Sequence, residues 1–135
     1  MVTTDVSLTP PGQIFQADYR LPDHTPPTPC PPSPLTLLQW NIERGYKLQR
    51  IIEELKRVDA DIISLQEVDV GCERSGGLDT GVEIAKALHM NYVFLSEFEE
   101  IRSPLRSPLE QGGGVHGNAI LSKFDFVDVQ VISHR

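Results

Sequence analysis

The chain has 135 residues, enough for one ordinary domain and little else. With 39% hydrophobic and 23% charged residues it can pack a core and is not disordered throughout. Its formal net charge of -7 excludes the broad basic surface of proteins that hold nucleic acid by charge alone. A phosphate ligand then needs positive charge from elsewhere, and a metal ion is the obvious source. No apolar run approaches the roughly 18 residues of a membrane span. The first residues, MVTTDVSLTPP, have neither the charged start nor the apolar block of a secretory signal. Cys30 and Cys72 are too few for a disulfide framework, and neither has a Cys or His at metal-ligand spacing. Two reduced thiols in an intracellular protein are expected.

Nine of the 11 prolines fall at or before Pro34. Proline fixes φ and donates no backbone hydrogen bond, so TPPTPCPPSP enters neither a helix nor a central strand. Residues 1–34 therefore read as an extended or disordered leader, a spacer or a proline-motif ligand, with Ile14, Phe15 and Tyr19 free to dock locally.

At Leu35 the pattern changes. LTLLQWN is a short apolar run between prolines and Gly45, which predicts a largely buried strand. Leu48, Ile51, Ile52 and Leu55 then recur at helical spacing with charged residues on the opposite face, an amphipathic helix. DIISLQEV reads as a second buried strand. The short connections make this a β-α-β unit with parallel strands. A second helix is predicted over about Asp79–Leu88, capped by Asp79 or Thr80, with Val82, Ala85 and Leu88 inward. NYVFLSE is the third strand. Residues 98–116, with two Ser-Pro pairs and three consecutive glycines, read as a long mobile loop. GNAILSK and DFVDVQVI, the latter alternating Val127, Val129 and Val131 with polar residues, are expected to be two further strands.

Asn41 and Glu67 each close an apolar strand. If those strands are parallel neighbours, both side chains emerge at one edge of the sheet, where ligand sites of α/β layers form. A carboxylate beside an amide oxygen there suits a hard cation. Read from spacing alone, the same residues also fit a solvated strand end and the start of a turn.

LQWNIERG, DADIISLQEVD and GNAILSKF, in this order and at these separations, resemble the endonuclease/exonuclease/phosphatase superfamily, whose type member is deoxyribonuclease I. The likeness runs from about Leu35 onward and spans roughly the first half of that family's domain. It implies an α/β (α+β) fold, the N-terminal part of a four-layer α/β sandwich with a mixed sheet and covering helices. It also implies a metal-dependent phosphoester hydrolase, a nuclease, phosphodiesterase or phosphatase, using Mg²⁺ or possibly Mn²⁺. Glu67 matches the family's metal-binding glutamate, and Asn41 the catalytic-site asparagine that organises metal and phosphate. Arg74 and Asn118 fall in segments near the site rim in that family, and His116, a histidine beside Gly117, is added from the residues alone. They are candidate contacts to a phosphoester substrate, whether nucleic acid, phosphorylated small molecule or lipid head group. In the residues alone, Arg74 equally suits a surface loop, Asn118 a turn before a strand, and His116 a solvated loop histidine.

The sequence departs from the family pattern in its second half. No Gly-Asp-Phe-Asn segment with the water-activating aspartate follows, and Ser133-His134 lacks the aspartate of the closing Ser-Asp-His motif. The resemblance therefore implies a truncated domain, inactive as this short chain, with an uncovered sheet face prone to self-association. A non-catalytic binding or regulatory fragment is the alternative.

Overall fold

A computed structural model describes residues 6–25 and 34–134. Its elements run β1 (Ile14–Asp18), β2 (Leu37–Asn41), α1 (Leu48–Val58), β3 (Ile62–Val70), α2 (Thr80–Leu88), β4 (Asn91–Glu99) and β5 (Val115–Ser122). The architecture is α/β: a five-stranded mixed sheet of order β1-β4-β5-β3-β2 carrying two helices. Among the described residues only β2 and β3 pair in parallel, with Asn41 opposite Gln66; the other neighbours are antiparallel.

The apolar stripe of α1 does what its spacing predicts. Ile51, Ile52 and Leu55 are buried, and the helix stops where Asp59 turns left-handed and its N–H caps the Leu55 carbonyl. α2 starts at Asp79, whose side chain accepts from the Val82 N–H at 3.0 Å. Val82, Ile84 and Ala85 face inward, and Leu88 is only partly covered. These residues join Ile63, Leu65, Val68, Tyr92, Phe94, Ala119 and Leu121 in one core on the helix-covered face of the sheet. Fully burying each large apolar side chain is worth about 1.5–3 kcal/mol, so this face supplies most of the stability. α2 lies so close to the sheet that a Cβ on Gly81 would sit 2.1 Å from the Tyr92 hydroxyl.

Four expectations from the sequence are corrected. The leader is not all outside the fold, because Ile14–Asp18 adds an antiparallel edge strand to β4. Its prolines flank this segment rather than interrupt it, so the backbone donors needed for the ladder remain. Residues 26–33, with Cys30 and most of the proline run, lie outside the described residues. Second, the LTLLQWN strand is an edge strand open on one side, with Leu37 66% exposed. Third, DFVDVQVI is not a strand, and Val127 is fully exposed. Alternation alone does not make a strand without a ladder partner, and both edges of the preceding β5 are already taken by β3 and β4. Val129 and Val131 instead border a groove of about 320 Å³ on the sheet face opposite the helices, with Ile14, Ser64, Leu95 and Ile120.

The fourth concerns the loop, which spans residues 100–114 and is built rather than loose. The Gln111 side chain clasps the Ser103 backbone through two 2.9 Å hydrogen bonds, and Gly113 N–H donates to the Glu100 carbonyl at 2.6 Å.

Two tests follow from this packing. At Gly117 a Cβ would lie 1.9 Å from the Leu95 carbonyl oxygen of the neighbouring strand. Gly117→Ala must push β4 and β5 apart in the centre of the sheet, and a loss of about 1–3 kcal/mol is expected in urea unfolding. An effect within error would mean the strands separate freely here.

The second test concerns pH. Burial raises the Asp79 carboxyl to about 6, against the pull of the Val82 N–H. A group whose folded pKa exceeds its unfolded one stabilises the fold fully below the unfolded pKa, and that stability is lost as pH rises through the folded pKa. Stability should therefore fall between about pH 4 and pH 6 by on the order of 3 kcal/mol from this group. Asp79→Asn keeps the cap and removes the titration, so it should flatten that slope and stabilise the protein at pH 7. An unchanged slope in urea midpoints across this range would show that Asp79 ionises normally.

Candidate active site

The site region is built by two bulges at one level of the sheet. Between the pairs Leu65–Ala119 and Val68–Gly117, β3 has two residues, Gln66 and Glu67, where β5 has only Asn118. Glu67 takes a left-handed backbone at φ 57° to accommodate the extra residue. By strict alternation Ile63, Leu65 and Glu67 would all face the helices. The bulge gives that third position to Val68, which is fully buried, and keeps a carboxylate out of the core. On the other side of β5, β4 also bulges, with Glu97 the extra residue between Ser96 and Phe98.

The expectation that Glu67 closes its strand is thus corrected: it sits on a bulge, and β3 runs on to Val70. Asn41 does close β2, and its partner Gln66 is the residue before Glu67, so the parallel register brings the two candidates to the same region. The Asn41 side-chain oxygen accepts from the Glu43 N–H at 3.0 Å, which starts the turn into α1. Beside it lies a cleft of about 340 Å³ walled by Trp40, Tyr46, Lys47, Arg50 and Glu54. Glu67 is half-buried, and the side-chain hydrogen bonds of this edge among the described residues involve Asn41, Gln66 and Asn118 without it.

Asn118 and His116 are not loop residues; both lie within β5. Asn118 donates to Glu97 at 2.9 Å across the two strands. His116 is buried, its ring stacked on Phe98 at a centroid distance of 5.0 Å, with Nδ1 2.7 Å from Asp69.

Arg74 is no surface arginine. Its side chain is 4% exposed, and its Nε and Nη2 donate to both Asp69 oxygens at 2.8 and 2.9 Å and to Glu100 at 2.9 Å. Those bonds tie the turn that carries Arg74 to β3 through Asp69 and to the end of β4 through Glu100. Asp69 is wholly buried and also receives the Ser75 hydroxyl at 3.1 Å. Burial alone would raise its pKa, but the hydrogen bonds from Arg74, His116 and Ser75 outweigh that and hold its carboxyl below the ordinary carboxylate range. Glu100 is likewise lowered, burial again being overcome by Arg74 and Arg106. Arg74 is raised further above its already high value, chiefly by the Asp69 hydrogen bonds.

The sequence singles out Arg74 and His116 but not the groups that hold them, Asp69, Ser75, Glu100 and Phe98. One signal was available. Asp69 stands between Val68 and Val70 in an apolar strand with Arg74 five residues on, and a carboxylate there calls for a partner of opposite charge.

Among the described residues no group of three or more His, Cys, Asp or Glu is arranged to hold a metal ion. The donors at hand, one partly exposed carboxylate with an amide oxygen in the neighbouring strand, suit Mg²⁺. That ion takes one or two protein carboxylates and fills its octahedron with water and phosphate oxygens.

No curated protein matches the chain. The family described as Endonuclease/Exonuclease/phosphatase family matches residues 38–134, which takes in β2 through β5 with Asn41, Glu67, Asp69, Arg74, His116 and Asn118. The chain belongs to the endonuclease/exonuclease/phosphatase family, a superfamily of phosphoester hydrolases.

Proposed function

We propose that this chain forms the metal-facing half of a Mg²⁺-dependent phosphoester hydrolase site. The observation that carries the reading is the bulge that turns Glu67 out of core register beside Asn41, in a chain matched to the family from residue 38 onward. Glu67 is the residue that would hold the ion, with Mn²⁺ an acceptable substitute, and Asn41 orients the same region. When bound, the ion offsets the charge that grows on the phosphoryl group.

The chain's own residues do the rest of what is proposed here. His116 is held through Nδ1 by a buried, ionised Asp69, which fixes the ring and leaves Nε2 as the nitrogen available to a phosphate oxygen. Arg74 fixes Asp69, and Phe98 covers the ring. Asn118 presents its amide from the strand between the two bulges. Within these 135 residues no aspartate is assigned to activate water, so hydrolysis by the chain alone is expected at background.

The test is metal binding by the chain as it stands. Titration with Mn²⁺, read by electron paramagnetic resonance of the free ion, should show one saturable site that Mg²⁺ competes for. Glu67→Gln should abolish it while the circular dichroism spectrum is retained. Equal binding by wild type and Glu67→Gln would place the metal elsewhere and overturn the assignment.

A further inference from the structure

The loop between β4 and β5 repeats one unit, Arg102-Ser103-Pro104-Leu105 and then Arg106-Ser107-Pro108-Leu109. Each unit folds as a β-turn led by serine and proline. The Arg106 N–H returns to the Ser103 carbonyl at 3.1 Å, and the Glu110 N–H to the Ser107 carbonyl at 2.9 Å. The two serines are nevertheless in different situations. Ser103 is half-buried, its N–H and carbonyl both held by the Gln111 side chain, and its hydroxyl accepts from the Leu105 N–H. Ser107 is exposed, and its one side-chain partner is the Glu110 carboxylate at 3.4 Å.

We propose that Ser107 is a phosphorylation site for a proline-directed protein kinase. The residue after it has no backbone N–H, the feature that a proline-accepting kinase pocket selects. Freeing Ser107 into an extended substrate conformation breaks one turn hydrogen bond and one long side-chain contact, whereas Ser103 must also lose both bonds to Gln111. The reaction uses a nucleoside triphosphate. The Ser107 Oγ bonds to the γ-phosphorus as the bond to the β–γ bridging oxygen breaks. The nucleoside diphosphate leaves, and the hydroxyl proton passes to the kinase's base.

The modified side chain reverses the local electrostatics. It has no hydroxyl left to donate to Glu110, and it adds a charge of about -2 beside that carboxylate. Arg106 is the neighbouring cation, and it holds Glu100 only at 3.4 Å. A phosphate at Ser107 offers it a stronger partner, so Arg106 moves from Glu100 to the phosphate and the second turn opens. Glu100 keeps Arg74, so the buried end of the cluster is unaffected.

The experiment incubates the full chain with a purified proline-directed serine/threonine kinase, ATP and Mg²⁺, followed by intact mass and peptide mapping. One phosphoryl group on Ser107 is expected, with incorporation lost in Ser107→Ala and Pro108→Ala and retained in Ser103→Ala. No incorporation, first incorporation at Ser103, or full incorporation in Ser107→Ala overturns the site. Hydrogen exchange on the phosphorylated chain reads the consequence. Faster exchange at the Glu110 amide supports the opened turn, and an unchanged rate overturns it.

Discussion

Asp69→Ala is expected to lower the unfolding free energy by about 3–5 kcal/mol in urea denaturation, the cost typical of breaking a buried ion pair from one side. Asp69 is wholly buried and accepts four hydrogen bonds, from Arg74 twice, Ser75 and His116. Removing it leaves the Arg74 guanidinium buried with only Glu100, and strips the His116 ring of the group that orients it. Arg74→Met provides the control: it removes the cation with much of the volume, yet leaves Asp69 without its two strongest donors. That change should also be destabilising, and the double variant Asp69→Ala/Arg74→Met should lose less than the sum of the two. Strict additivity would show that the pair carries no coupling.

The pH profile gives an independent check with a definite sign. The folded pKa of Asp69 lies below its unfolded value, so its stabilisation is fully present above the unfolded pKa and is lost as pH falls through the folded one. That places its effect on the acid side of about pH 4, apart from the window assigned to Asp79.

Asp69 and Asp79 shift in opposite directions because only Asp69 is hydrogen-bonded to a cation, whereas Lys86 acts on Asp79 only through space. Asp79 has backbone N–H donors and a nearby Glu83, which do not compensate its burial. Asp69 has a bidentate arginine.

Much of the fold was legible because it depends on periodicity within a segment. Leu48, Ile51, Ile52 and Leu55 mark α1 at helical spacing, and the run DIISLQEV marks β3, which the sheet extends to Val70. The family likeness was also readable, since LQWN and DIISLQEV occur as contiguous strings. What was not legible depends on which strands become neighbours. Val127, Val129 and Val131 alternate as a strand would, yet no ladder edge receives them. Ile14–Asp18 has only a weak pattern, yet β4 offers it an open edge.

The same limit applied at the site. Glu67 was found by its place in a string, but the bulge that sets its orientation is a mismatch of register between β3 and β5, which neither strand carries in its own sequence. His116 looked like a loop residue because Gly112–Gly114 precede it and Gly117 follows. In the sheet Gly117 serves close strand contact rather than a turn, so β5 starts two residues earlier, at Val115, and buries the imidazole.

Glu67→Gln is expected to lower Mg²⁺-dependent phosphoester turnover on the order of 10²-fold or more, once Asn41 and Glu67 are completed by a segment carrying a water-activating aspartate. The amide is nearly isosteric with the carboxylate, and the half-buried bulge position has room for it without repacking the core, so the fold should be kept. What is lost is one negative charge facing the cation. That lowers metal affinity and, with it, the stabilisation available as charge develops on the phosphoryl oxygens. The two contributions separate with metal concentration. If Glu67 acts only by retaining the ion, saturating Mg²⁺ or Mn²⁺ should restore turnover. If it also sets the position of the ion, a residual defect in kcat should persist at saturation. Asn41→Ala should impair the same step through a different route, by freeing the turn that its side chain starts at Glu43. Its defect should therefore appear with the metal still bound. Full Mg²⁺-dependent activity in Glu67→Gln at limiting metal would remove Glu67 from the site, and the Mn²⁺ titration of the 135-residue chain would then show where the ion binds instead.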